Sequence, residues 1–183
     1  MKVLTLVALL ATIFCATAVR ADDLTYDDPG MHYRAPDGWE RITITSDAAQ
    51  QEGAPVAIFA LRSGKNVSKT ITITVADYDG ALADFVTDRT QAMRSSSSGS
   101  DDSIFVDKKI PTKTGNGMPA VELIWTGTPA NGPQSKSYEW LMIDGKRSID
   151  VRYSGALGEI NDTDAATVFS SLYVVAYPRP RPS

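Results

Sequence analysis

The stretch Thr70-Ile71-Thr72-Ile73-Thr74-Val75 carries a β-branched residue at every position and alternates polar with apolar without a break. Branching at Cβ crowds a helix and suits a pleated strand. The period of two sends both isoleucines and Val75 to one side and the threonines to the other. A chain built around such a segment must form a sheet with one face turned to a core.

A second segment predicts how neighbouring strands pair. Asp144-Gly145 suits the two central positions of a type I′ hairpin turn. With those residues as the turn, Ile143 pairs with Lys146 and Trp140 with Ile149. Tyr138, Trp140, Met142, Ile149, Val151 and Tyr153 then share an apolar face, and Glu139, Lys146, Ser148, Asp150 and Arg152 a solvated one. This register sets Glu139 opposite Asp150, a like-charge pair that Arg152 relieves from the diagonal.

Further strands are expected at residues 31–34, 39–45, 56–61, 104–110 and 120–128. The first two are separated by the turn Pro36-Asp37-Gly38. Residues 56–61 are apolar throughout, as in a strand covered on both faces. Gly115-Asn116-Gly117 turns the chain before a strand with Val121, Leu123 and Trp125 on one face.

Two helices interrupt the strands. In the first, Asp79 is the expected N-cap; Leu82, Phe85, Val86 and Met93 form a buried stripe, with Arg89 along its edge. The second starts near Thr163 as N-cap and carries Ala165, Val168, Phe169 and Leu172 at helical spacing. Residues 173–176 read as a short strand or as the helix end. Residues 95–102 and 129–133 read as flexible loops. Strands, helix, strands, helix in this order point to an α+β domain with a mostly antiparallel sheet.

The amino terminus carries an address. Met1-Lys2 followed by an uncharged apolar run to Thr17 reads as a secretory signal over residues 1–21, cleaved between Ala21 and Asp22. A cut before Val19 also satisfies the small-residue rule, and an uncleaved anchor is the bland alternative. The run is shorter than the about 20 apolar residues of a membrane span. Bulky Ile13 and Phe14 before Cys15 argue against a lipid-anchored cysteine, and no twin arginine is present. Cys15 is the one cysteine, so the processed chain is free of thiols, which fits a bacterial periplasm or exterior better than an animal secretory route. Losing Lys2 and Arg20 with the leader takes 18 basic residues to 16 against 22 acidic ones, a net charge of −6. Such a surface repels nucleic acid and anionic lipid, so neither is an expected partner. The organisation is thus a signal at 1–21, an acidic lead-in at 22–30, one domain at 31–177 and a Pro/Arg tail at 178–183, extended as polyproline.

Chemistry-bearing residues are sparse. His32, the one histidine, would need a nucleophile such as Ser154, and no Gly-x-Ser-x-Gly elbow exists. One histidine without thiols does not make the usual zinc set. Asp77-x-Asp79-Gly80, Asp101-Asp102 and Asp27-Asp28 have oxygen ligands for calcium but not the full loop. Glu139 and Asp150 are the one pair a hairpin would bring together for glycoside hydrolysis, and a solvated face is the better reading of them. Trp39, Trp125 and Trp140 read as core rather than stacking platforms. The sequons at Asn66 and Asn161 are silent in a bacterial envelope. No phosphate loop or dinucleotide fingerprint occurs, and no cofactor or metal is expected.

Tyr33-x-x-Pro36-x-Gly38-Trp39, the mid-chain helix, the Tyr138-Glu139-Trp140 to Arg152-Tyr153-Ser154 hairpin and a late helix ending Phe169-Ser170-Ser171-Leu172 together resemble the PsbP/Mog1-like superfamily over residues 31–175. This group includes PsbP, Mog1, DcrB-like proteins and Eag-type secretion chaperones. The resemblance implies an antiparallel sheet between helices, an α/β/α sandwich. It also implies a non-catalytic role in holding or assembling a partner, a protein or a small ligand of the envelope. A secreted hydrolase with a carboxylate site is the alternative.

Overall fold

The computed structural model describes residues 24–28, 30–45, 53–97, 103–128 and 132–174. The leader with its Ala21/Asp22 junction, Asp101-Asp102 and the tail at 178–183 lie outside the described residues.

The alternating segment is the middle of a longer strand, β5 (Asn66–Asp77), whose Ile71 and Ile73 are fully buried. It follows β1 (Thr25–Asp28), β2 (Met31–Arg34), β3 (Glu40–Ile42) and β4 (Ala57–Ser63). After it come α1 (Leu82–Ser97), β6 (Ser103–Lys113), β7 (Pro119–Thr128), β8 (Ser135–Asp144), β9 (Arg147–Ala156), α2 (Asp162–Phe169) and β10 (Tyr173–Val174). Seven strands form one antiparallel sheet in the order β3-β4-β5-β9-β8-β7-β6, and β1-β2-β10 form a small second sheet.

Both faces of the large sheet are covered. On one, Phe59, Ile71, Ile73, Tyr138, Met142, Ile149, Val151 and Tyr153 pack against Met31 and Tyr33 of the small sheet and Ala165, Val168 and Phe169 of α2. On the other, Leu123 and Leu141 meet Val86 and Met93 of α1, flanked by Leu82, Phe85 and Trp125. This is the expected α+β sandwich, an antiparallel sheet between helices.

The hairpin keeps its predicted faces but not its predicted register. Asp144 pairs with Arg147 and Trp140 with Val151, so the turn is Gly145-Lys146. Gly145 has φ +64° and no non-glycine residue among the described residues has positive φ, the pattern of a type II′ rather than a type I′ turn. Arg147 draws the ladder one pair further by bonding Asp144 at 2.6 Å and Asp28 of β1 at 2.8 Å. The slip moves each partner by two residues, which preserves which side every chain faces. Arg152, not Asp150, therefore stands opposite Glu139.

Boundaries also differ, and α1 runs on to Ser97, into the stretch from residue 95 expected as a loop. Residues 25–28, expected as lead-in, pair along β2 as β1. α1 begins at Leu82, with the Ala81 N–H bonded to Asp84, because Tyr78 N–H is still held by Lys146 O at 2.7 Å and the chain has not left the sheet at Asp79. α2 begins two residues before the predicted site: Asn161 is the N-cap and accepts from Asp164 N–H at 3.0 Å, which frees Asp162 to accept from the Tyr138 hydroxyl at 2.6 Å. Of residues 173–176 the described two, Tyr173–Val174, form a strand, β10, clasped by Asn116 of the β6–β7 turn, whose side chain bonds Val174 O; residues 175–176 lie outside the described residues.

Tyr33 is fully buried with its ring 5.7 Å from Phe59, and its hydroxyl has no hydrogen-bond partner among the described residues. A buried hydroxyl that gains no bond costs about 1–3 kcal/mol. Tyr33→Phe is therefore expected to hold or raise stability, by up to about 2 kcal/mol in urea unfolding; a clear loss would contradict it.

Candidate functional site

Helix α1 lies over β6, β7 and β8, and one charged side chain on its inner stripe reaches the sheet. Arg89 falls three residues after Val86 and four before Met93, both buried, so the helical period points it inward. Its Nε meets Glu139 Oε1 at 2.8 Å and its Nη2 meets the same oxygen at 2.7 Å. Asp150 Oδ2 lies 3.6 Å from Arg89 Nε. The indole N–H of Trp125 donates to the other Glu139 oxygen at 3.2 Å.

This corrects the expectation of a solvated face. Glu139 is 0% exposed and the Asp150 side chain only 16%. The hairpin does bring the two acids together, but diagonally on β8 and β9, beneath α1. Burial works to raise the Glu139 carboxyl, and the Arg89 guanidinium, the hydrogen bond with Asp150 and Arg152 outweigh it, leaving it below its ordinary value. Burial and the charge on Glu139 push the Asp150 carboxyl well above its ordinary range, against the pull of Arg89. The two shifts run in opposite directions, as for adjacent carboxyls whose charges repel. Asp150 Oδ1 is buried without a partner among the described residues.

Glycoside hydrolysis needs two carboxyls about 5–9.5 Å apart with a sugar between them. Here both lie under a helix against one arginine, Glu139 at 2.7 Å and Asp150 at 3.6 Å, so the arrangement is that of a clamp. Arg89 is the residue the sequence reading undervalued. Its position within the apolar stripe, opposite two acids on the sheet, was the available signal.

The other candidates lie apart. His32 is exposed on β2 and bonds Asp27, its cross-strand partner, whereas Ser154 shares a 2.7 Å hydrogen bond with Ser137 on the α1 side of the large sheet. Asp28 is paired to Arg147, and Asp77 and Asp79 stand at the end of β5 and in the following turn. No group of three or more potential metal-ligating His, Cys, Asp or Glu side chains occurs among the described residues. Trp39 is buried against Tyr153, and Trp140 stacks on Phe169 at 4.5 Å.

An open groove of about 430 Å³ runs between the outer flank of α1 and the edge strand β6, lined by Thr87, Thr90, Gln91, Arg94, Val106 and Lys109. Both of its charged residues are cationic, on a chain of net charge −4. Both threonine hydroxyls donate to helix carbonyls, Thr87 to Ala83 and Thr90 to Val86, and keep acceptor lone pairs.

No protein-family model matches the chain. No curated protein sequence matches it either. Solved structures do. Cyanobacterial PsbP (CyanoP) from Synechocystis sp. PCC 6803 superposes with a TM-score of 0.59 at 13% identity, covering 87% of this chain and 98% of that one. PA94 from Pseudomonas aeruginosa, a protein of unknown function, gives 0.54 at 16% identity over 87% and 97%. A Bacteroides thetaiotaomicron protein gives 0.51 at 12% identity, covering 82% of this chain and 47% of the other. At these identities the likeness is one of fold, and the fold of this chain is PsbP-like.

Proposed function

We propose that this protein is an exported bacterial envelope module that holds a protein partner at the groove between α1 and β6 and performs no chemistry of its own. The observation that carries the reading is the contrast between two sites. The acid pair a hydrolase would need open to substrate is roofed by α1 and ion-paired to Arg89. The concave surface that is open is cationic at Arg94 and Lys109. Opposite charge favours an acidic segment of the partner, by steering its approach and by pairing with Lys109. The leader at residues 1–21 supplies the export, and no helix among the described residues is long and apolar enough to cross a membrane.

Capture from bacterial envelope extract tests this. Native protein and a Lys65→Glu control, altered in a remote turn, are expected to retain a partner that Lys109→Glu binds at least about tenfold more weakly, or 1.4 kcal/mol. Capture indifferent to Lys109→Glu overturns the groove assignment. Turnover in a hydrolase screen that Asp150→Asn abolishes would favour the alternative, a secreted hydrolase. Intact mass of the periplasmic protein is expected to begin at Asp22; a mass beginning at Met1 overturns cleavage.

A further inference from the structure

We propose that the outer edge of β6 takes up an acidic, extended segment of a partner protein as an added strand of the large sheet. This rests on the groove reading above and gives the form in which the partner is held. β6 ends the seven-stranded sheet and pairs with β7 alone, so among the described residues its other edge carries no ladder. It is eleven residues long, whereas β3 at the opposite edge has three. In an antiparallel pair, alternate residues turn their N–H and C=O away from the partner strand. β6 therefore offers a row of backbone donors and acceptors long enough for strand addition.

The side chains select the occupant. The β6–β7 register puts Phe105, Lys108 and Ile110 on the sheet face of Ile124, and Val106 and Lys109 on that of Leu123, the groove side. Each face of the edge thus carries an exposed lysine, and Lys113 adds a third. The one acid of β6, Asp107, sits at the bulge between Val106 and Lys108 and accepts from the Thr126 hydroxyl at 2.8 Å. Phe105, 60% exposed, and Ile110, 38% exposed, stand on either side of Lys108. An incoming strand therefore meets apolar, cationic and apolar side chains on one face, and Val106 and Lys109 on the other. Carboxylates beside the lysines and a branched or aromatic residue beside Phe105 are the cross-strand pairs that stabilise such a ladder.

The same residues disfavour other occupants. Lysines, a bulge and a proline on an edge strand hinder pairing with a like edge. A second copy joined through β6 about a two-fold axis would bring two sets of lysines to one seam. A neutral strand would leave those lysines without counter-charges, whereas an acidic one turns the repulsion into attraction. Pro111 has no N–H to give, which confines the added ladder to residues 103–110.

The probe is an end-blocked peptide of about eight residues alternating valine and glutamate, a length that spans residues 103–110. Beside it stand its valine–lysine counterpart and a glutamate form N-methylated at each amide, which keeps the charge and loses the donors. Native protein is expected to bind the glutamate peptide at least about tenfold more tightly than either. Lys108→Glu combined with Lys109→Glu should abolish the preference for glutamate over lysine; both side chains are exposed, so the fold is spared. Hydrogen exchange should slow at alternate amides of residues 103–110 when the glutamate peptide binds, and stay unchanged in β3. Equal binding of the methylated and unmethylated forms overturns strand addition while leaving an acidic segment in the groove. No binding of the glutamate peptide also overturns it, and the groove reading is then judged by capture with Lys109→Glu. Protection of β6 amides that rises with protein concentration in the absence of peptide would make a second copy the occupant and overturn it as well.

Discussion

Arg89→Ala is expected to cost about 3–5 kcal/mol at neutral pH, the loss seen when one partner of a buried ion pair is removed. Domains of this kind have about 5–15 kcal/mol in total, so the variant would sit near its unfolding threshold. The reason is what remains. Glu139 is 0% exposed and would keep the Trp125 indole N–H, with Asp150 beside it and Arg152 across the ladder, but no close guanidinium. Its carboxyl would then rise above its unfolded value, and the folded state would bind more protons than the unfolded one. The deficit should therefore shrink as pH falls through that range. Arg89→Lys should lose less, since it restores charge but not the two nitrogens that meet Glu139 together. Replacing Arg89, Glu139 and Asp150 at once with apolar residues of similar volume should recover most of the loss. Urea unfolding at neutral and mildly acidic pH checks all four; Arg89→Ala within about 1 kcal/mol of native would refute the clamp.

Where periodicity alone determines the outcome, the fold was legible. The threonine-isoleucine alternation of β5 and the faces of the β8–β9 hairpin are both read from a period of two, and parity survives a register slip of two residues. What failed depended on partners far along the chain. Asp144 paired with Arg147 because Asp28, 119 residues away from Arg147, holds the same guanidinium. α1 began after Asp79 because Lys146 kept Tyr78 in the sheet. Residues 25–28 look like an acidic lead-in until β2 offers them a ladder. The clamp was half legible: the hairpin brought Glu139 and Asp150 near each other, but calling their face polar assumed water above it. Only the docking of α1 across β7 and β8 shows that the face is roofed and that Arg89 is the third member.

On the opposite face, Phe169→Ala is expected to remove about 3–5 kcal/mol, as for other buried phenylalanines. Phe169 is 1% exposed and lies 4.5 Å from Trp140 at an interplanar angle of 11°, a stacked pair that adds to the area term. α2 has eight residues, too few to persist alone in water. It stays helical because Ala165, Val168 and Phe169 are buried on the sheet while Asn161 caps it and Asp162 receives the Tyr138 hydroxyl. Polar contacts at one end cannot hold the other once its largest anchor is gone, so the loss should fall on the whole helix. Trp140 reports this directly: its indole N–H is bonded to Glu122, and removing Phe169 opens the ring to water. The native protein's tryptophan emission should shift to longer wavelength in Phe169→Ala, and Trp140→Phe should abolish most of that shift. Phe169→Leu, which keeps the volume and loses the stack, should cost under about 1.5 kcal/mol with little shift. Equal losses for leucine and alanine would mean that the stack, rather than the buried volume, anchors α2.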